Sequence, residues 1–142
     1  MSLGWGKIET YAEAVMKHRM GEWAMECPAA ITVTDADGVI VEMNARSLES
    51  FARDGGAALL GTHVLDCHPE PARTKTARLY EVRQPNHYTI RKNGRRKIIH
   101  QLPWYRQGEF AGFVEISIPI PDELPHFDRD SEDKRAVVAD GE

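Results

Sequence analysis

The sequence predicts an α+β fold in which an antiparallel sheet carries short helices on one face. Two β-branched runs are joined by turn residues at 35–38, residues 44–82 show helical spacing, and three further strand runs follow between 87 and 120. Helices that lie between two groups of strands are typical of an antiparallel sheet with its helices on one side.

Residues 7–26 predict an amphipathic helix, because Ile8, Tyr11, Val15 and Trp23 fall within one arc at helical spacing. The last turn is weaker because it contains glycine. The rest of the fold can close without this helix, so its apolar stripe needs another surface to cover it. We therefore expect the chain to form a homodimer through residues 1–27, which would pack against the sheet or against the same helix of a second copy.

The next segment, "AITVTDADGVIVEMN", predicts a β-hairpin whose turn is Asp35-Ala36-Asp37-Gly38. Asn44 then predicts the start of a short helix, since asparagine accepts hydrogen bonds from the free amides of a first turn. That helix is expected to end near Gly55-Gly56. A brief helical turn follows at residues 57–61.

A longer helix is predicted at residues 69–83, "PEPARTKTARLYEVR", with Pro69 and Pro71 in its first turn. Its expected inward residues are Ala72, Thr76, Leu79 and Val82.

From His87 the spacing changes to that of strands. Lys92-Asn93-Gly94 and Gln107-Gly108 mark turns, so residues 87–120 predict three antiparallel strands. Alternate side chains point to opposite faces of a sheet. One predicted face is apolar: Tyr88, Ile90, Ile98, Leu102, Trp104, Val114, Ile116 and Ile118. The other is mixed: Thr89, Arg91, Ile99, Gln101, Phe113, Glu115 and Ser117.

Composition limits the functions that this chain can have. A length of 142 residues suits one domain, predicted at 28–121, followed by a charged and partly disordered tail at 122–142. A net charge of -4 with dispersed basic residues disfavours nucleic-acid binding. Without a CxxC motif, a signal-peptide core or a membrane-length apolar run, the sequence predicts a cytoplasmic protein that does not bind membranes.

Together, "TVTDADGVIVEMNARSLESFAR", the "LLGTHVL" segment and the three-strand ending resemble the PAS domain family over roughly residues 28 to 120. "LDCHPEPART" and "GFVEISIPIPDELPHF" add a resemblance to small bacterial PAS sensor proteins with a Cys-His-Pro segment. This resemblance implies a five-stranded antiparallel sheet that cradles a small ligand or cofactor, with output through flanking helices. It implies no reaction. The chain is expected to act through a separate signalling protein or to be part of a longer one.

The segment Cys67-His68-Pro69 has several interpretations. In one, Pro69 starts the helix, His68 or Asp66 caps it and Cys67 is a small apolar residue. In another, Cys67 lies at the helix N-terminus beside the pocket and acts as a redox sensor or haem ligand. In a third, His63, Cys67 and His68 together bind a metal.

The cofactor is therefore unknown from sequence. A histidine-ligated haem stays open, because a single ligand leaves no spacing to read. A flavin photoadduct is disfavoured, because light-sensing relatives carry cysteine in a G-x-N-C-R-F-L-Q segment, whereas Cys67 lies well beyond Gly61 and lacks those neighbours.

The identity of the pocket-facing sheet face also stays open. By the strand pattern of light-sensing relatives, Glu115 stands at an inward position, which would make the pocket polar. In the alternative, the apolar face packs in the core and the mixed face is exposed to solvent. The expected ligand-contacting residues are Asn44, Phe51, His63, Cys67, His68, Ile99, Gln101, Phe113 and Glu115.

Three functions remain: a ligand-binding sensor, a ligand-free interaction module, and a small isomerase-like enzyme with Glu115 as its base. We prefer the sensor, because no second acid or nucleophile pairs with Glu115 in the sequence.

Overall fold

The computed structural model describes residues 20–130, apart from the side chain of Cys67. The strands are β1 Ala30–Thr34, β2 Ile40–Met43, β3 Asn86–Lys92, β4 Arg95–Arg106 and β5 Glu109–Pro119. The α-helices are α1 Glu22–Met25, α2 Ala45–Ser50 and α3 Ala72–Val82. Three 3-10 turns lie between α2 and α3, at Ala52–Asp54, Gly56–Leu59 and Val64–Cys67.

The five strands form one antiparallel sheet in the order β2-β1-β5-β4-β3, so the predicted fold class is confirmed. The first hairpin turns as predicted. The carboxylate of Asp35 accepts hydrogen bonds from the amides of Asp37 and Val39, and Gly38 takes the positive φ of 89° that the turn requires. Because β1 pairs with β5, the two ends of the domain meet at the middle of the sheet.

The faces of β4 and β5 are as predicted, but the assignment of β3 is wrong. Tyr88 pairs with Ile99 and not with a residue of the apolar set. The reason is the two-residue turn at Asn93-Gly94, which pairs even-numbered residues of β3 with odd-numbered residues of β4. Tyr88 and Ile90 therefore lie on the mixed face, and Thr89 and Arg91 lie on the apolar face.

Both faces of the sheet are covered, each by a different part of the chain. The helical segment between β2 and β3 packs on the mixed face, which we call the inner face. Its core consists of Ile40, Met43 and Leu59 with Leu48, Phe51, Leu60 and Val64 around them. The opposite, outer face packs under residues 20–29. Its core consists of Ala24, Ala29, Ile31 and Val33 with Met20, Cys27, Val41, Trp104, Val114 and Ile116 around them.

The predicted helix at residues 7–26 falls mostly outside the described residues. Where it can be compared, a continuous helix is wrong, because Met20 and Gly21 are not helical and α1 begins at Glu22. Trp23 is 78% exposed, whereas its neighbour Ala24 is buried against the outer face. The short helix is therefore anchored by Ala24 and not by Trp23, the one residue of the predicted apolar stripe that lies within the described residues.

The start predicted for the long helix is also wrong. The helix was expected to begin at Pro69 with a cap from residues 66–68, but α3 begins at Ala72. A residue that precedes proline is pushed away from the helical region, and His68 and Glu70 both precede one. His68 accordingly has an extended backbone, with φ -114° and ψ 113°.

The tail prediction for the final dozen residues lies outside the described part of the chain. Within residues 20–130, no helix has the length and apolar character needed to cross a bilayer.

Candidate ligand cavity between the sheet and the helices

A cavity of about 70 Å³ lies between the inner face of the sheet and the helical segment. The strands and helices that surround it contribute the following lining residues: Thr32, Thr34, Ile40, Met43, Phe51, Leu59, Val64, His68, Thr76, Leu79, Tyr80, Gln101, Phe113 and Glu115. This volume holds roughly five water molecules. The cavity therefore suits a small ligand.

One wall of the cavity is aromatic. Phe113 of β5 is 5% exposed and contacts the ring of Tyr80 from α3, with 4.9 Å between centroids. Phe110 stands edge-on to both rings at 6.4 and 5.7 Å. Such edge contacts hold ring positions better than apolar packing alone, so α3 is fixed against the sheet at this end.

Tyr80 is a cavity residue that was not among those predicted from the sequence. Val82 was expected to point inward instead, but Val82 is 42% exposed. The Tyr80 hydroxyl lies 2.5 Å from the hydroxyl of Thr34, which also accepts from the Phe113 amide at 3.3 Å. Helical spacing could have found Tyr80, since it lies four residues after Thr76 on the same side of α3.

Burial raises the pKa of Tyr80 above its ordinary value, and the negative charges of Asp35 and Glu115 add to the increase, although the hydrogen bond with Thr34 opposes it. Burial likewise raises the pKa of Tyr88, with a further contribution from Glu115. Both phenols are therefore held neutral beside the acidic side of the cavity.

That acidic side is a chain of three side chains across β5, β4 and β3. Glu115 accepts a hydrogen bond from Gln101 Nε2 at 3.0 Å, and Gln101 Oε1 accepts from Asn86 Nδ2 at 2.7 Å. Register explains the chain, because Asn86, Gln101 and Glu115 are direct partners across the strands. Asn86 thereby fixes the amide of Gln101 with its NH₂ group toward the carboxylate.

Two open grooves adjoin the cavity, the first lined mainly by α3 and the second mainly by β3, β4 and β5. His68 borders the cavity and both grooves. It follows the 3-10 turn Val64–Cys67, and its Nδ1 lies 2.7 Å from the carbonyl oxygen of Val64. A carbonyl oxygen can only accept, so Nδ1 carries the proton. The first turn of α3 is served by Glu70 instead, whose carboxylate accepts from the amide and the hydroxyl of Thr74.

Asn44 is placed as the predicted cap, but away from the cavity. It is fully buried and its side chain makes four hydrogen bonds at 2.7–3.0 Å. The oxygen accepts from the amides of Ile31 and Ser47, and the nitrogen donates to the carbonyls of Ala24 and Ala29. These bonds leave Asn44 a structural role at the junction of both coverings of the sheet.

His63 and Ile99 are also outside the cavity lining. His63 Nδ1 accepts from the Leu65 amide, and its ring lies over Gly38 in the β1–β2 turn. Ile99 is buried on the inner face beside one of the adjoining grooves. Within the part of the chain that the structure describes, no three metal-binding side chains lie together. The reactivity of Cys67 stays a prediction.

The structure therefore brings together five of the residues predicted from sequence: Phe51, His68, Gln101, Phe113 and Glu115. Their common surroundings are an open five-stranded sheet closed on one face by short helices around a small cavity. This arrangement defines the class of α+β domains in which short helices cover one face of an open antiparallel sheet.

Comparison with known proteins identifies the family within that class. The model of the PAS fold family matches residues 26–123. The chain belongs to the PAS family, whose members are typically sensory and signalling modules. None of the curated proteins matches it.

Solved structures agree in fold. A C-terminal domain from Streptococcus mutans is 19% identical, with a TM-score of 0.57 over 77% of this chain and 84% of its own. The PAS domain of Bordetella pertussis BvgS is 19% identical, with a TM-score of 0.55 over 69% and 81%. The PAS domain of an HTR-like protein from Haloarcula marismortui is 23% identical, with a TM-score of 0.50 over 74% and 92%.

Proposed function

We propose that this protein is a PAS sensor that binds a small molecule in the cavity and passes the signal on through protein–protein contacts. The observation that carries the proposal is the convergence of Glu115, Gln101, His68 and Tyr80 on a cavity whose other walls are apolar side chains and three threonines. A few placed polar groups in an apolar pocket are the usual arrangement for small-molecule recognition. The cytoplasmic location inferred from the cysteine usage stays a prediction.

The size of the cavity selects among ligands. Pockets for drug-sized ligands measure roughly 300–1,000 Å³, whereas this cavity measures about 70 Å³. Haem does not fit a cavity of this volume, and a haem held by His68 stays a prediction from the sequence. A compact metabolite fits.

A screen of small metabolites by thermal unfolding tests the proposal. Binding to the folded state alone stabilises it by mass action, so a ligand should raise the melting temperature in proportion to its saturation. Thr76→Phe should abolish that rise, because Thr76 lines the cavity and the larger ring would fill it. Glu81→Phe, on the exposed side of α3, is the matched control and should leave the rise intact.

Two results would contradict ligand binding: no compound raises the melting temperature, or Thr76→Phe responds as the control does. The ligand-free interaction module would then be the better interpretation.

For output, the proposal uses the outer face and a second copy of the chain. Trp104, Val114 and Ile116 are only partly buried there, and Ile118 is 38% exposed. Side chains of this kind contribute about 1.5–3 kcal/mol each when fully buried, which favours association despite its entropy cost. Met20, which precedes α1, and Ala24 of α1 pack against this same face.

Sedimentation across a broad concentration range tests the homodimer. The full chain should sediment as a dimer, and deletion of residues 1–19 or the change Ile118→Glu should shift it toward monomer. Tyr105→Glu, an exposed position on the neighbouring strand, is the control. A monomeric full-length chain at every concentration would rule out the homodimer.

A further inference from the structure

The acidic side of the cavity indicates the chemical class of the ligand, an inference that rests on the proposed function. Glu115 accepts one hydrogen bond, from Gln101 to Oε2, and among the described residues its Oε1 accepts none. A carboxylate has about four acceptor positions. Most of the acceptor capacity of Glu115 is therefore left for a ligand.

The amide of Gln101 cannot turn over to present its oxygen to Glu115. Its oxygen is already bonded to Asn86, and one hydrogen of its NH₂ group is bonded to Glu115. A flip of the amide would bring two oxygens together at Glu115 and two NH₂ groups together at Asn86. The side chain of Glu115 thus meets the ligand as a carboxylate with a fixed neighbour.

Neither lysine nor arginine lies beside this carboxylate in the cavity lining, where the nearest basic type is the histidine His68. Lys92 and Lys97 line an open groove that Glu115 also borders. The raised pKa of Tyr80, which follows first from burial, also includes the effects of Asp35 and Glu115, as expected of a negative potential in the cavity.

The remaining walls suit a cation with an apolar body. Phe51, Phe113 and Tyr80 present rings to the cavity, and the faces of aromatic rings attract ammonium groups. Leu59 and Leu79 complete an apolar surface for a short hydrocarbon.

We infer that the ligand is a small organic cation, a protonated amine on a short apolar body, whose ammonium group pairs with Glu115. Closing an apolar site over a carboxylate is costly unless an opposite charge accompanies it. A cation supplies that charge and several N–H donors, whereas a carboxylate ligand would be repelled. A neutral alcohol supplies one donor and no charge.

Two matched series of probes test this inference on the full chain by calorimetry at neutral pH. The first is n-butylamine, n-butanol and butyrate, and the second is n-propylamine, n-propanol and propionate. In at least one series the amine should bind more tightly than the alcohol by about tenfold or more, as for a buried charge-assisted pair. The carboxylate should not bind detectably.

Variants then locate the cation. Glu115→Gln keeps the shape of the side chain but removes its charge, and should lower amine affinity by about tenfold or more with little change for the alcohol. Glu109→Gln makes the same change at an exposed position of β5 and should leave amine affinity unchanged. The comparison of probes on the unaltered protein decides the matter even if Glu115→Gln folds poorly.

The inference is overturned if an alcohol or carboxylate binds as tightly as its amine, if Glu115→Gln leaves amine affinity unchanged, or if no probe of either series binds. In each case the proposed function can still hold, because the metabolite screen with Thr76→Phe reports any ligand of the cavity whatever its charge. If that screen also fails, ligand binding itself is wrong.

Discussion

The inner face of the sheet carries Thr34, Gln101 and Glu115 beneath helices, whereas the outer face carries mainly apolar side chains beneath residues 20–29 alone, as far as the chain is described. Maximal burial of apolar area would place the larger covering over the apolar face. The opposite arrangement indicates that the inner face gives up packing for a cavity with polar groups. The outer face leaves apolar side chains such as Trp104, Val114 and Ile116 only partly buried within the described residues.

The largest expected effect comes from truncating two side chains of β5 that lie on opposite faces of the sheet. Phe113→Ala should lower the free energy of unfolding by about 3–5 kcal/mol, because Phe113 is 5% exposed and contacts Tyr80 and Phe110. Ile116→Ala, on the partly buried outer face, should lower it by only about 1–2 kcal/mol. Denaturant unfolding of both variants measures the difference. Equal losses would mean that the outer face is covered as completely as the inner one.

The next effect concerns Asn44, which binds both coverings to the sheet. Asn44→Ala should lower the free energy of unfolding by about 3 kcal/mol, since it removes four buried hydrogen bonds and leaves two amides and two carbonyls without their partner. Ser47→Ala, which removes only the 2.5 Å contact with the hydroxyl of Thr32, should cost about 1 kcal/mol. Similar losses for the two variants would show that the coverings hold independently of Asn44.

A smaller effect should appear at alkaline pH and only on the inner face. The pKa of Tyr80 is raised in the folded protein, so its contribution to stability is complete below the unfolded value of about 10 and is lost as pH rises through the folded value. Tyr80→Phe should lose about 1 kcal/mol at neutral pH with the hydrogen bond to Thr34. Between about pH 8 and about pH 11, the free energy of unfolding of Tyr80→Phe should then fall less than that of the unsubstituted protein. Parallel pH curves in denaturant unfolding would contradict this reasoning.

The smallest effect is expected on the outer face. Burial raises the pKa of Glu42 from 4.5, and its Oε1 finds no hydrogen-bond partner among the described residues. A raised folded pKa means that the charged form costs stability above that value, so Glu42→Gln should stabilise at neutral pH by at most about 0.5 kcal/mol. The gain should disappear below about pH 4. Thermal unfolding at both pH values measures this gain in stability. Glu49→Gln, at an exposed position of α2, is the control.

Local chemistry explains which parts of the fold could be predicted from sequence. Asn44 caps α2 as expected, because a cap involves only the next few residues. The turns at Asn93-Gly94 and Gln107-Gly108 were predicted, so the ends of the three strands that they join were predicted to within one residue. The start of α3 was missed because two competing rules met there: proline suits a first turn, but it also excludes the residue before it from helical geometry.

The candidate site depended on information that no short segment contains. Glu115, Gln101 and Phe113 were selected from strand alternation and from resemblance, but alternation alone left the inward face undecided. Tyr80 was missed, because Thr34 and Phe113, which hold it, lie 46 and 33 residues away along the chain.

The sequence by itself determined the order of elements, the antiparallel pairing around two glycine turns and the PAS membership, since spacing, caps and turns act over a few residues. Only the tertiary structure decided that the helices cover the mixed face and that residues 20–29 cover the apolar one. The physical reason is that a sheet offers two faces of nearly equal geometry. The choice between them depends on the sum of contacts from distant segments, among them the four hydrogen bonds through which Asn44 joins both coverings to β1.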